Sequence, residues 1–382
     1  MNPQPGHRPT RAEIDLDALA ANFASVKAFV GDDVSYMAVV KADAYGHGAV
    51  TCAKRLEEAG ADWFAVATVE EGAQLREARI SKPILILGGF WPGQETKVLN
   101  LDLIPVVFRV DQAESLALWA SRQGTKARIH VKIDTGMGRI GFRCDQAAHA
   151  AAALARIEGL TVDGLMTHFA VADKIEETEY TNKQIAEFAE AVEIFHSYGH
   201  RPTYIDMANS PGAVVHPLSR SKMVRIGGLL FGLGGDVLPD GVDQPELRQV
   251  MSVRSRIGQL KTIGAGETVG YGRTFTAERE SLIATVPIGY HDGLPRSLSN
   301  KGHFIVNGQR APIAGRVSMD WTTLDVTDIS NVSVGDDVTI IGSNGEDRIR
   351  AEDLAKQTDT ISYEITCGIS GRVPRLYEPP LQ

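Results

Sequence analysis

The chain has 382 residues, of which 43% are hydrophobic and 23% charged, with a formal net charge of −9. That composition is ordinary for a soluble globular protein, and the length exceeds one average domain. The acidic balance argues against a nucleic-acid partner, which needs a basic face, and no apolar run approaches a membrane span.

The opening, Met1 to Arg11, is polar and proline-rich, without the apolar core of a signal peptide. Cys52, Cys144 and Cys367 are odd in number and far apart. They point to a reducing, cytoplasmic setting with no disulfide framework, and no pair has zinc-ligand spacing. Ala12 to Leu19 opens with a strand-like piece. Asp15 or Asp17 can then cap a helix through Ala20 to Phe29.

Short apolar runs then alternate with amphipathic stretches. The runs are Ser35 to Val40, Trp63 to Ala67, Ile84 to Leu87, Ile104 to Phe108, Ala127 to Ile133, Val162 to Met166, Tyr204 to Met207 and Met223 to Ile226. Most intervals hold one helix-like segment, such as Val69 to Ala78 or Asn182 to His196. Strand–helix alternation implies a parallel sheet covered by helices. Eight such units predict a closed (β/α)8 TIM-type barrel rather than an open doubly wound sheet. No Gly-x-Gly-x-x-Gly fingerprint follows the first run, which weakens a dinucleotide-binding fold.

The texture changes at Gly234 to Gly241, a glycine-, proline- and aspartate-rich stretch that reads as a linker. Beyond it strand-like runs follow one another without helices: Val250 to Ile257, Ser281 to Ile288, His303 to Val306, Thr322 to Val326 and Asp337 to Ile341. Asn307-Gly308 and Asn344-Gly345 are hairpin signals. One helix-like stretch, Ala351 to Gln357, precedes a last apolar run from Ile361 to Ile369. The expected division is a barrel over 1–241 and a mostly β domain over 242–382.

Active sites of such barrels gather at the carboxyl ends of the strands. Reactive residues stand there in this chain: Lys41 after the first run, Asp134 to Arg139 after the fifth, Thr167-His168 after the sixth, Asn209-Ser210-Pro211-Gly212 after the seventh, and Arg225 to Gly228 at the eighth. A lysine at the end of a buried strand either snorkels to water or is desolvated, which lowers its pKa and makes its amine a nucleophile. Asn209, Ser210 and the Gly227-Gly228 pair fit a phosphate grip, through a hydroxyl, a helix N-terminus and closely approaching backbone N–H groups. They fit equally well a capped helix followed by a tight turn.

Ala38 to Gly48, with Lys41 at its centre, resembles the pyridoxal-phosphate attachment motif of alanine racemases. Further segments agree and occur in the family's order: Met137 to Phe142, Thr268 to Phe275 around Tyr271, Ile288 to Gly293, Gly315 to Asp320, Ser362 to Glu364 and Gly371 to Arg375. His291 stands where a small residue is commoner, and Ser318 where many members have cysteine.

The resemblance implies pyridoxal 5'-phosphate as cofactor, carried by Lys41. It implies cofactor contacts from Tyr45, His168, Asn209, Ser210, Arg225, Gly227, Gly228 and Tyr363, and substrate contacts from Arg139, Met319 and Tyr290. In it Arg225 faces the pyridine nitrogen and His168 links that arginine to Tyr271. Lys132 matches a position carbamylated in some members; an unmodified lysine paired with a carboxylate is the other reading. Racemisation takes the Cα proton from one face and returns one to the other, so two groups are needed. The family supplies them as Lys41 and as Tyr271 lent by a second subunit, which implies a homodimer with shared sites. The expected activity is interconversion of L- and D-alanine for peptidoglycan, with no metal. A racemase of broader range (serine, lysine) and a barrel decarboxylase are the alternatives. Arg225 argues against the latter, which commonly places an acid near the pyridine nitrogen.

Overall fold

The structure is a computed structural model that describes residues 8–380; the opening residues 1–7 and the last two lie outside that range. Strand β1, Arg11–Asp15, leads into a helix, Leu16–Val30. Asp15 caps the helix, its Oδ1 accepting from the Ala18 N–H at 2.8 Å.

Eight parallel strands then close on themselves: β2 (Ser35–Val39), β3 (Trp63–Val66), β4 (Ile84–Ile86), β5 (Leu103–Val107), β6 (Ala127–Asp134), β8 (Leu160–Met166), β9 (Tyr204–Ala208) and β10 (Met223–Ile226). A two-residue strand, β7 (Phe142–Arg143), is an appendage on β6. Closure comes from β5 pairing with β6, Val106 opposite His130. β2, meanwhile, sits between β3 and β10. This is the (β/α)8 barrel expected from the eight apolar runs. The strands are buried almost throughout, as parallel strands covered on both faces must be.

Beyond residue 241 the chain is mostly β. Met251–Arg256 (β11) joins His303–Val306, Gln309–Pro312 and Asp337–Asn344 in one antiparallel array, and Gln259–Ile263, Ser281–Val286 and Thr322–Asp325 form a second sheet. Asn307 and Gly308, at φ +48° and +75°, turn the hairpin between His303–Val306 and Gln309–Pro312. The last apolar run is a helix, Ser362–Gly368. β1 is not a barrel strand. It lies in the first of these sheets, antiparallel to β11 and parallel to the final strand, Arg375–Glu378. Among the described residues, no helix is long and apolar enough to cross a membrane.

Candidate active site

At the carboxyl end of β2 the backbone does something unusual. Lys41 is followed by Ala42, Asp43, Ala44 and Tyr45, all at φ between +52° and +54°, and then by Gly46 at +84°. A left-handed turn of L-residues costs about 1–2 kcal/mol for each residue, so neighbouring bonds must hold it. The carboxylate of Glu71 accepts from the Ala42 N–H at 2.7 Å with one oxygen and from the Ala67 N–H at 2.7 Å with the other. Asp43 accepts from the Ala49 N–H at 2.7 Å. Gly46 is obligatory, since a Cβ there would lie 2.1 Å from the Thr366 carbonyl oxygen. The turn thereby presses Lys41 and Tyr45 against the helix Ser362–Gly368.

A cavity of about 390 Å3 opens at this end of the barrel. Lys41, Tyr45, His168, Asn209, Ser210, Arg225, Gly227, Gly228 and Tyr363 line it, as do Arg139, Lys132 and Cys367. Burial lowers the Lys41 amine below its ordinary pKa, and the Arg139 guanidinium adds to the effect.

One wall is a cradle of small and phenolic groups. Asn209 caps the helix Ser210–Val215, accepting from the Gly212 N–H at 3.0 Å. The Ser210 hydroxyl accepts from the Gly227 N–H at 2.9 Å. A Cβ on Gly227 would meet the Tyr45 hydroxyl at 2.4 Å, and one on Gly228 would meet the Tyr363 ring and hydroxyl at 2.3 Å. Both phenols therefore converge on the glycine pair, with their rings 5.2 Å apart. Neither hydroxyl has a hydrogen-bond partner among the described residues, and burial raises both pKa values above the ordinary tyrosine range. Protonated phenols, the Ser210 hydroxyl and the glycine backbone form a donor-rich pocket that fits a phosphate group.

The opposite wall is built on Arg225, which is 3% exposed. Its Nη2 donates to the carbonyls of Thr167 at 3.0 Å and Met207 at 3.2 Å and to Nδ1 of His168 at 3.1 Å. Its Nη1 forms an ion pair with the fully buried Asp206. Burial, then Arg225, drives the His168 imidazole down to about 2, so it is neutral. Burial, then Arg225, also pushes the Lys132 amine well below its ordinary value. Asp206 and Glu71 are not among the residues expected from the sequence. The signal for Asp206 is a carboxylate inside the apolar run Tyr204 to Met207. For Glu71 it is the Thr68-x-x-Glu71 capping box.

Tyr271, Tyr290 and Met319 do not line this cavity and are 71%, 41% and 50% exposed. Tyr290 and Met319 lie close together, because the Tyr290 N–H donates to the Ser318 carbonyl at 2.9 Å and the His291 N–H to that of Met319 at 3.0 Å. Tyr271 lies in a short turn, Tyr271–Arg273, with Gly270 and Gly272 against Arg316. Among the described residues, no group of three or more His, Cys, Asp or Glu could hold a metal.

Fold and cavity define a (β/α)8-barrel enzyme that places an amine, a guanidinium and a phosphate-sized cradle at one mouth. Residues 14–234 match the family model "Alanine racemase, N-terminal domain" and residues 250–377 match "Alanine racemase, C-terminal domain". The chain is 44% identical over 378 residues to the alanine racemase of Geobacter sulfurreducens, covering 98% of each chain. It is 44% identical over 376 residues to that of Halothermothrix orenii, covering 97% of each. Its fold is similar to the solved alanine racemase of Streptomyces lavendulae, with a TM-score of 0.92 at 34% identity and 98% of each chain covered. It is also similar to that of E. faecalis, with a TM-score of 0.91 at 34% identity, covering 98% of this chain and 99% of that one. The chain belongs to the alanine racemase family and is an isomerase.

Proposed function

We propose that the protein interconverts L- and D-alanine in the cytoplasm, with pyridoxal 5'-phosphate as cofactor, and so supplies D-alanine for peptidoglycan. The observation that supports this reading best is the pairing, in one cavity, of a desolvated lysine amine with a phosphate cradle built from two unpartnered phenols. Lys41 would hold the cofactor covalently. Tyr45, Asn209, Ser210, Gly227, Gly228 and Tyr363 would hold its phosphate, with Arg225 and His168 beside its ring. When bound, the cofactor withdraws electrons from the substrate Cα and makes its C–H acidic.

The chain's own groups then move the proton. Released by substrate, the Lys41 amine takes or returns it on one face. Its lowered pKa leaves more of it neutral and competent as a base. Tyr271 of the partner subunit serves the other face, so the β-rich half of one copy completes the barrel site of the next in a homodimer. His168, neutral, donates from Nε2 and steadies that phenol's oxygen. Arg225 stays protonated at any ordinary pH, so it offers a hydrogen bond but no proton. That restrains electron withdrawal and favours return of the proton over loss of any other group. Arg139 binds the substrate carboxylate, and Tyr290 and Met319 narrow the entrance.

The test is a comparison of the purified protein with Lys41→Ala. Wild type should show a visible absorbance band, a cofactor adduct by mass after borohydride reduction, and racemisation of L-alanine ahead of L-serine and L-lysine. A Lys41→Ala protein that kept both the adduct and the full rate would overturn the reading.

A further inference from the structure

Asp206 belongs to none of the proton-transfer groups above, yet its position is costly. The residue is fully buried inside the barrel, on β9. A carboxylate there forfeits its hydration, and an apolar residue of similar size would pack without that loss. It touches Nη1 of Arg225, and no well-aligned hydrogen bond reaches either carboxylate oxygen among the described residues. Lys132 stands at the same level of the barrel two strands away, through the register Lys132, Met166, Asp206. Arg225 is thus the group that answers the carboxylate's charge in direct contact.

The guanidinium is a rigid planar fork, so fixing one amino group fixes the other. With Nη1 drawn to Asp206, Nη2 sits among the Thr167 carbonyl, the Met207 carbonyl and Nδ1 of His168. A guanidinium can only donate. Nδ1 of His168 must therefore be the acceptor, and the imidazole hydrogen must sit on Nε2.

We infer that Asp206 is a positioning residue whose carboxylate orients Arg225 so that His168 is held as the Nε2–H tautomer. Without the carboxylate the fork loses its anionic anchor, and the two backbone carbonyls compete with Nδ1 for its hydrogens. His168 then exchanges between tautomers, and a hydrogen on Nδ1 turns the donor at Nε2 into an acceptor. The catalytic consequence rests on the functional reading above; the tautomer lock does not.

The experiment uses full-length protein labelled with 15N-histidine, with His168→Gln to assign the resonance. Wild type should give an acceptor-type Nδ1 and a hydrogen-bearing Nε2. Asp206→Asn, which keeps the volume and loses the charge, should give averaged shifts. Its kcat should fall roughly 10²-fold, the loss expected for a misplaced catalytic group, with KM changed less than about threefold. Proton occupancy on Nδ1 in wild type overturns the inference even if the variant does not fold. So does an Asp206→Asn protein whose His168 shifts are unaltered, whatever its kcat. A tautomer change in a protein that racemises no amino acid supports the lock and overturns the functional reading instead.

Discussion

Nη2 of Arg225 donates to Nδ1 of His168 across 3.1 Å, and that single bond decides which ring nitrogen keeps its hydrogen. In the proposed reaction His168 would therefore serve as a fixed neutral donor and not as an acid. His168→Gln can reproduce both roles, accepting through its amide oxygen and donating through its amide nitrogen. We expect it to keep roughly a tenth of the wild-type kcat, while His168→Leu loses about 10³-fold. Steady-state racemisation of L-alanine by both variants checks this. Equal losses would mean that the hydrogen-bonding role is wrong.

The proposed sharing of sites between subunits gives a sharper test. Lys41→Ala and Tyr271→Phe proteins should each be nearly inactive alone. Denatured together and refolded, half the dimers are hybrids, and each hybrid has one site with both Lys41 and the partner's Tyr271. Activity should return to roughly a quarter of wild type. If the mixture stays at the level of the separate variants, Tyr271 does not act across an interface.

The cradle allows a steric prediction. Gly227→Ala would thrust a methyl group to 2.4 Å from the Tyr45 hydroxyl, and Gly228→Ala to 2.3 Å from the Tyr363 ring. Overpacking of this kind costs about 1–3 kcal/mol, which should weaken the proposed binding of a cofactor phosphate by roughly five- to 150-fold. Equilibrium dialysis of the cofactor-free proteins against pyridoxal phosphate reads that change directly. An alanine at either position that binds as tightly as glycine would show the phosphate lies elsewhere.

Buried imidazoles set the acid limit of the fold. Burial pulls His47 down to about 4 and His130 down to about 3, while an unfolded histidine titrates near 6.5. Below about 6.5 the unfolded chain binds protons that the native protein refuses. Stability is therefore complete above that pH and is lost as pH falls toward 4 and then 3, with a slope of up to about 1.4 kcal/mol per pH unit for each group. Urea midpoints should fall between pH 7 and pH 5, and less steeply in His130→Gln. A midpoint unchanged over that interval would contradict the neutral burial of these rings.

Barrel architecture was legible because eight apolar runs carried it, and each observed strand lies within two or three residues of its run. Lys41, His168, Asn209 and Arg225 were legible for a related reason: the carboxyl end of a barrel strand is a position that sequence order alone can identify. Asp206 was hidden because alternation along a strand does not say which apolar run will bury a charge. The left-handed run from Ala42 to Tyr45 was hidden more deeply. Its cause is Glu71, on a different helix, and Thr366, at the far end of the chain. Periodicity carries no information about such distant partners. The last apolar run, Ile361 to Ile369, has no polar alternation to distinguish strand from helix. It became a helix because Tyr363 and Thr366 pack against the turn that follows Lys41.

The placement of β1 has a bearing on how the molecule is made. Its neighbours are β11 and Arg375–Glu378, so β1 gains no sheet partner until all the barrel strands that follow it have been made. Arg375–Glu378 then pairs along its other edge. A chain lacking Arg375–Glu378 would keep every barrel strand and still leave one edge of β1 unpaired.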